Sequence, residues 1–196
     1  MNVRSTASQH FRNRSPFTVN HVRHHKNSSR LVRTLVQLLE EKKSDWKKEF
    51  CNNVLDECGT VLQKDRADKS SSIYLINNRE QLEVYAYNRI EFSSSRQRKF
   101  SKGEGFAGGI WASGESMLIN DIEDNDLFTG EFAPTHEYNS ILGIPIKVGN
   151  KIYGVLNIQS EKKNGFSEDD LRTVVFYADM CALAHYYDII NMRGGD

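Results

Sequence analysis

SILGIPIKVGNKIYGVLNIQS, residues 140–160, decides the fold. Ile144, Ile146 and Val148 alternate along its first half, and Ile152, Leu156 and Ile158 share a face of its second half. Gly149-Asn150 stands between them, and both residue types tolerate the positive backbone angles of a two-residue hairpin turn. Two antiparallel strands follow from this pattern. They are too apolar to stand in water, so they belong at the centre of a sheet with other elements laid upon it.

Downstream, Glu161 to Gly165 is a charged turn. Ser167 then offers an N-cap, with Asp169 and Asp170 in the first turn where the helix dipole favours acids. Leu171, Val174, Val175, Ala178, Cys181, Ala182, His185 and Ile189 form the apolar face of the helix that follows, and His185 reads as a core histidine.

Upstream, Asp121 to Tyr138 is a long irregular stretch with six acidic residues and no Lys or Arg. Loops of this length inside a compact domain usually carry function. It lacks the alternating ligands and the glycine of a calcium loop. Met117, Leu118 and Ile119 before it read as a short strand.

Gly103-Glu-Gly-Phe-Ala-Gly108 matches G-x-G-x-x-G, but the dinucleotide reading fails. That fingerprint needs a buried parallel strand ahead of it and a long helix behind it. Here Arg96-Gln-Arg-Lys99 precedes, and Gly114 is placed to stop the helix after two turns. Phe100 anchors at most a short edge strand. Ser71 to Asn77 and Leu82 to Asn88 form a second hairpin around Asn78-Arg79-Glu80, with Val84 and Ala86 on one face and Tyr85 and Tyr87 on the other.

Two helical patterns come earlier. Leu31, Leu35, Leu38 and Leu39 recur at three and four, and after an N-cap at Ser44, Trp46, Phe50, Val54, Cys58 and Leu62 recur at four. The second stripe is expected to pack on the sheet. The first lies beyond the expected domain body, and a second copy of the chain is the simplest partner for it. The organisation read from sequence is a disordered basic extension over 1–28, a helical dimerisation segment over 29–43 and a domain over 44–192.

Charge agrees with that division. The chain's net charge is +0, yet residues 1–30 carry six basic side chains and no acidic one. A basic tail of this kind suits nucleic acid or anionic lipid, and a solvated tail explains it equally well. Cys51, Cys58 and Cys181 have no paired short spacing, which argues against disulfides and zinc and for buried reduced thiols. No run is long and apolar enough to span a membrane or to form a secretory signal, so a cytoplasmic protein is expected. Nucleophile–base pairs, motif-placed carboxylate pairs and metal-ligand spacings are absent from the sequence, so a non-enzyme is expected.

Five stretches together resemble a GAF domain, the small-molecule-binding module of many signalling proteins. They are Lys102-Gly-Glu-Gly-Phe-Ala-Gly108 with Trp111, Ser116-Met-Leu-Ile-Asn-Asp121, Ser140-Ile-Leu-Gly-Ile-Pro-Ile146, Gly154-Val-Leu-Asn-Ile-Gln-Ser160 and Phe166-Ser-Glu-Asp-Asp-Leu171. The resemblance covers about Ser44 to Ile190. It implies an α+β fold: a central antiparallel sheet with the N- and C-terminal helices on one face and short helices and loops over a pocket on the other. It also implies a homodimer through the terminal helices. The sequence shows no kinase, nucleotide cyclase or helix-turn-helix of its own, so output is expected through a separate partner or the N-terminal tail. On that template Phe106, Trp111, Asn120, Asp121, Phe128, Tyr138, Ser140 and Asn157 line the pocket, and aromatic walls with a few polar groups suit a small planar or amphipathic ligand.

The sequence also departs from particular branches of the family. The spaced signature of cyclic-nucleotide binders cannot be placed, and the loop has no cysteine of the kind that links a bilin. The free methionine sulfoxide reductases need cysteines near the short helix and in the loop, whereas residues 59–180 contain none. Haem-binding members use a histidine just before the central hairpin, and His136 stands there as a minor alternative. No cofactor is otherwise expected.

Overall fold

The computed structural model describes residues 16–62, 69–90, 99–123, 125–134 and 137–193. In chain order the elements are α1 (Pro16–Glu41), α2 (Trp46–Val61), β1 (Lys69–Ile76), β2 (Leu82–Asn88), β3 (Lys99–Phe100), α3 (Gly105–Ser113), β4 (Met117–Ile119), β5 (Ser140–Val148), β6 (Lys151–Ser160) and α4 (Glu168–Arg193). Two short 3-10 turns, Asp126–Phe128 and Gly130–Phe132, lie between β4 and β5. No described helix is long and apolar enough to cross a membrane.

The 140–160 stretch forms β5 and β6, paired antiparallel around Gly149, whose φ is +57°. All the strand pairs are antiparallel, in the order β3-β2-β1-β6-β5-β4, so β6 is interior and its residues 154–160 are buried without a break. Period two then sorts the side chains onto two faces. Leu142, Ile144, Ile146, Leu156, Ile158 and Ile73 pack with α1, α2 and α4. Ile141, Val155, Tyr74 and Leu82 pack with α3 and the β4–β5 loop.

Bulges disturb this alternation at two points. One lies where Gly154 opposes Ile146 and Ile152 opposes Lys147, so Tyr153 of β6 is the extra residue; it turns to His185 on the helix side, and Ile152 comes to Gly114 at the end of α3, so Ile152 does not share the face of Leu156 and Ile158 as expected. The other lies between Ile73 and Tyr74, where Ala86 opposes Ile73 and Val84 opposes Tyr74. The extra residue, Tyr85, joins Ala86 against the helix-side core and not against Tyr87 as simple alternation predicts.

At the helix layer the structure corrects two expectations. The first helix reaches back to Pro16, so residues 16–28 are helical and not disordered; residues 1–15 lie outside the described residues. The apolar period is missing there because polar and aromatic contacts hold the helix. Asn27 Nδ2 donates to Glu57 O at 3.2 Å, and the His24 ring meets Phe176 and Tyr177 edge-on at 5.3 and 5.9 Å.

The second correction concerns the leucine stripe. Leu31, Leu35 and Leu38 are 1%, 8% and 3% exposed and belong to the domain's own core, so they do not wait for a second chain. Arg30 fastens the same helix through a two-point contact with Glu57, Nη2 to Oε2 at 2.6 Å and Nε to Oε1 at 2.5 Å.

The direction of the helices follows from their contacts. The start of α1 meets Phe176 and Tyr177, and Lys47 at the start of α2 is ion-paired with Asp188 near the end of α4. α1 and α4 therefore run the same way, with α2 antiparallel to both. α2 begins at Trp46 with Asp45, not Ser44, at the N-cap position. The Ser167 cap of α4 forms as read: Asp170 N donates to Ser167 Oγ at 3.2 Å and Ser167 N donates to Asp170 Oδ2 at 2.8 Å.

Candidate ligand site

α3 is the element that makes the second face of the sheet a site. The two-residue strand before it pairs antiparallel and the helix is nine residues long, neither of which a dinucleotide fold provides. Gly114 ends it in the left-handed region, φ +71°, with its N–H bonded to Ile110 O at 2.8 Å. The helix sits on the sheet at Gly143. A Cβ there would stand 2.3 Å from Ile110 Cδ1, 2.6 Å from Phe106 Cε1 and 2.9 Å from Asn157 Oδ1. Only a missing side chain allows so close an approach.

The β4–β5 loop closes the far side. Its base is stapled: Ile122 N donates to Asn139 O at 3.1 Å, Asn139 N to Ser160 O at 2.8 Å and Asn164 N to Asn120 O at 2.8 Å. Asn125 Oδ1 accepts from Leu127 N at 3.0 Å and so nucleates the 3-10 turn that carries Phe128 inward. Phe128 stacks on Phe106 with centroids 5.7 Å apart, and Tyr138 meets Phe128 edge-on at 6.2 Å. Phe100 continues the aromatic layer to Tyr74 at 5.6 Å and Phe132 at 6.4 Å.

Five of the eight sequence-named positions thus lie in or against one apolar cluster on the α3 side. Phe106 and Phe128 are buried in it, Trp111 and Tyr138 pack on it partly exposed, and Asn157, 4% exposed, is at the sheet surface below. Asp121 is at the loop's base. Its Oδ1 accepts from Glu123 N at 3.1 Å, and Lys163 lies 3.0 Å from its Oδ2 and also pairs with Glu123. The hydrogen bond from Lys163 holds the Asp121 carboxyl below its ordinary range. Asn120, also at the base, keeps a buried Oδ1 with no partner.

Ser140 is not brought to this face. It shares the parity of Leu142 and Ile144, on the helix side, and its hydroxyl is fully used: it donates to Lys162 O at 2.7 Å and accepts from Gly165 N at 3.2 Å. The strand period, applied to the resemblance, would have excluded it. Conversely, Ser72 was missed. It has the parity of Tyr74 and Ile76, is 1% exposed and leaves its hydroxyl without a partner. A polar residue on the inward parity of an apolar strand was the available signal. His136, the haem candidate, lies outside the described residues.

The family model described as the GAF domain matches residues 47–184. The chain belongs to the GAF domain family. Among curated relatives, this GAF domain is 36% identical over 77 residues to Protein YtsP of Bacillus subtilis, covering 39% of this chain and 45% of that protein. It is 25% identical over 115 residues to the Nif-specific regulatory protein of Azospirillum lipoferum, covering 55% of this chain and 18% of that protein. The chain thus spans less than half the length of these relatives.

Among solved structures, the GAF domain of a phosphoenolpyruvate-protein phosphotransferase from Coxiella burnetii superposes with a TM-score of 0.66 at 18% identity, covering 85% of this chain and 99% of that one. A free methionine-R-sulfoxide reductase from Neisseria meningitidis, in complex with its substrate, superposes at 0.60 and 18% identity, covering 84% and 93%. Likeness at this identity establishes a shared GAF fold and nothing of its chemistry.

Proposed function

We propose that this GAF domain is a non-catalytic regulatory module that binds a small molecule between α3 and the β1–β6 surface and reports occupancy through α1 and α4 of a homodimer. The observation that carries this reading is the second cluster itself. An aromatic layer supplied by a short helix and a stapled loop covers buried sheet positions that keep polar atoms unpaired. Each unpaired buried polar atom costs about 1–3 kcal/mol, which hydrogen bonds from a ligand would recover.

Three further observations agree. A regulatory protein stands among the relatives. The described cysteines, Cys51, Cys58 and Cys181, are all buried in the helix-side core, across the sheet from α3. Burial pushes the Cys58 thiol up, and a hydrogen bond with Cys51 followed by burial raises that of Cys181, so neither of these two is poised as a thiolate for sulfoxide chemistry. Finally, α1 exposes Val32 and Val36, and α4 exposes Leu183, Tyr186 and Ile190, apolar positions that suit the same helices of a second copy.

A thermal-shift screen of the full chain against small metabolites tests the sensing role. A melting temperature that climbs with ligand concentration supports it. A second reading, a dimerisation module without a ligand, is favoured by the stacking of Phe128 on Phe106, which lets the protein's own rings fill the site. Silence in the screen, together with salt-dependent binding of nucleic acid or anionic vesicles through the basic N-terminal segment, would favour that reading.

A further inference from the structure

On the α3 face, three strands meet in one row: Ser72 of β1 opposes Asn157 of β6, and Asn157 opposes Gly143 of β5. Neither the Ser72 hydroxyl nor the Asn157 carboxamide oxygen has a hydrogen-bond partner, although both residues are more than nine-tenths buried. The next pair along the same strands behaves differently, for Ser70 Oγ donates to Gln159 Oε1 at 2.9 Å. Ser72 and Asn157 stand in equivalent register and make no such bond. Instead the Asn157 oxygen lies 2.9 Å from the point where a Gly143 side chain would begin, beneath Phe106 and Ile110.

The described side chains around this row carry no charge. Tyr74, Val155, Ile141, Phe106 and Ile110 are apolar or aromatic. At the loop's base, Asp121 and Glu123 are both paired with Lys163. An ionised ligand entering here would lose its hydration without gaining a counter-charge, a cost of several kcal/mol. A neutral one carrying an N–H beside an acceptor would satisfy both orphaned groups at once.

We infer that Ser72 and Asn157 form the recognition floor for a neutral planar ligand with a carboxamide-like edge, which displaces the Phe106–Phe128 stack to reach them. This rests on the sensing reading above and narrows it to a ligand class. Recognition is then by hydrogen-bond pattern, with stacking supplying the affinity.

The test uses the full chain and two isosteric probes, nicotinamide (neutral amide) and nicotinate (anion), followed by thermal shift and by the side-chain amide NMR signals of Asn157. The expected result is that millimolar nicotinamide raises the melting temperature and moves the Asn157 signals while nicotinate does neither. Ser72→Ala and Asn157→Leu should each weaken nicotinamide about tenfold, one hydrogen bond's worth. Both variants should melt no lower than wild type without probe, since each removes an unpaired buried group. Ser72→Ala removes one oxygen and guards against a folding failure of the other variant. Nicotinate binding as tightly as nicotinamide, or nicotinamide binding untouched by both variants, overturns the inference. No response to nicotinamide overturns it, and a melting temperature raised by another metabolite of the screen while nicotinamide is silent leaves sensing intact.

Discussion

Phe128, carried on a 3-10 turn of the loop, stacks on Phe106 of α3 at 5.7 Å with the ring planes 30° apart. This contact links the two elements that cover the α3 face, so it governs access to the row at Ser72 and Asn157. Phe128→Ala is expected to lower stability by about 1–3 kcal/mol, below the usual cost of deleting a core ring, because a loop can partly collapse into the gap. A fall in the urea midpoint at unchanged slope checks it. Greater uptake of small aromatic probes by the variant would show that the space opened is the ligand space.

The buried leucines and the exposed apolar positions of the helix layer should separate cleanly. Leu31 is 1% exposed in the domain core, so Leu31→Ala should destabilise the folded chain by about 2–5 kcal/mol whatever its association state. Leu183 is 51% exposed, so Leu183→Glu should leave unfolding within about 0.5 kcal/mol while shifting sedimentation from dimer to monomer. Loss of association in Leu31→Ala with none in Leu183→Glu would show that the leucine stripe, not the exposed residues of α4, mediates the proposed self-association.

Arg30 and Glu57 make a similar contrast on the polar side of α1. The Glu57 side chain is 11% exposed and that of Arg30 57%. Arg30→Met strands a buried carboxylate, whereas Glu57→Gln leaves only a mostly solvated guanidinium. We expect Arg30→Met to cost about 1–3 kcal/mol and Glu57→Gln less, read from denaturant midpoints.

Sheet and element order were legible in the sequence because each rests on local period: Ile144 with Ile146, Phe106 with Ile110, Ser167 before Asp170. What was not legible depends on relations between distant residues. The two bulges, at Tyr153 and Tyr85, turned Ile152 and Tyr85 from their expected faces without any mark in composition. The helix from Pro16 is held through Asn27 and His24 by Glu57, Phe176 and Tyr177, all in other elements. Ser140 and Ser72 exchanged roles for a simpler reason, since strand parity sends the first to the helix side and the second to the α3 side. The eight site positions came from family resemblance, and that resemblance did not distinguish the faces.

Gly143 offers a test of how tightly α3 is seated. Its missing side chain accommodates Ile110 and Phe106, whose side chains must both shift to admit a Cβ. Gly143→Ala should therefore cost about 1–3 kcal/mol through overpacking. Amide exchange should quicken in α3 and the β4–β5 loop before it does in α2 or α4. Uniform loss of protection across both faces would mean that the two cores are one cooperative unit.

His185 supplies the pH dependence. It packs edge-on against Tyr153 at 5.0 Å, with Lys47 Nζ 3.4 Å from its Nδ1 and Asp188 bonded to the same lysine. Burial first, then the charges of Lys47 and Lys151, bring its pKa down from 6.5 to about 4, against the opposing pull of Asp188. The imidazole is thus neutral in the fold while the unfolded chain takes up a proton near pH 6.5. Where the unfolded state binds more protons, stability rises with pH. Stability should accordingly be flat above about pH 7, fall as pH drops through 6.5, and stop falling on this account below about 4. Carboxylates also titrate at the lower end, so the useful window is pH 7 to 5. There the melting temperature of His185→Asn should decline less than that of wild type. Parallel curves for the two proteins across that window would mean that Asp188 offsets the burial and the lysines, so that His185 takes up its proton alike in the folded and unfolded chain.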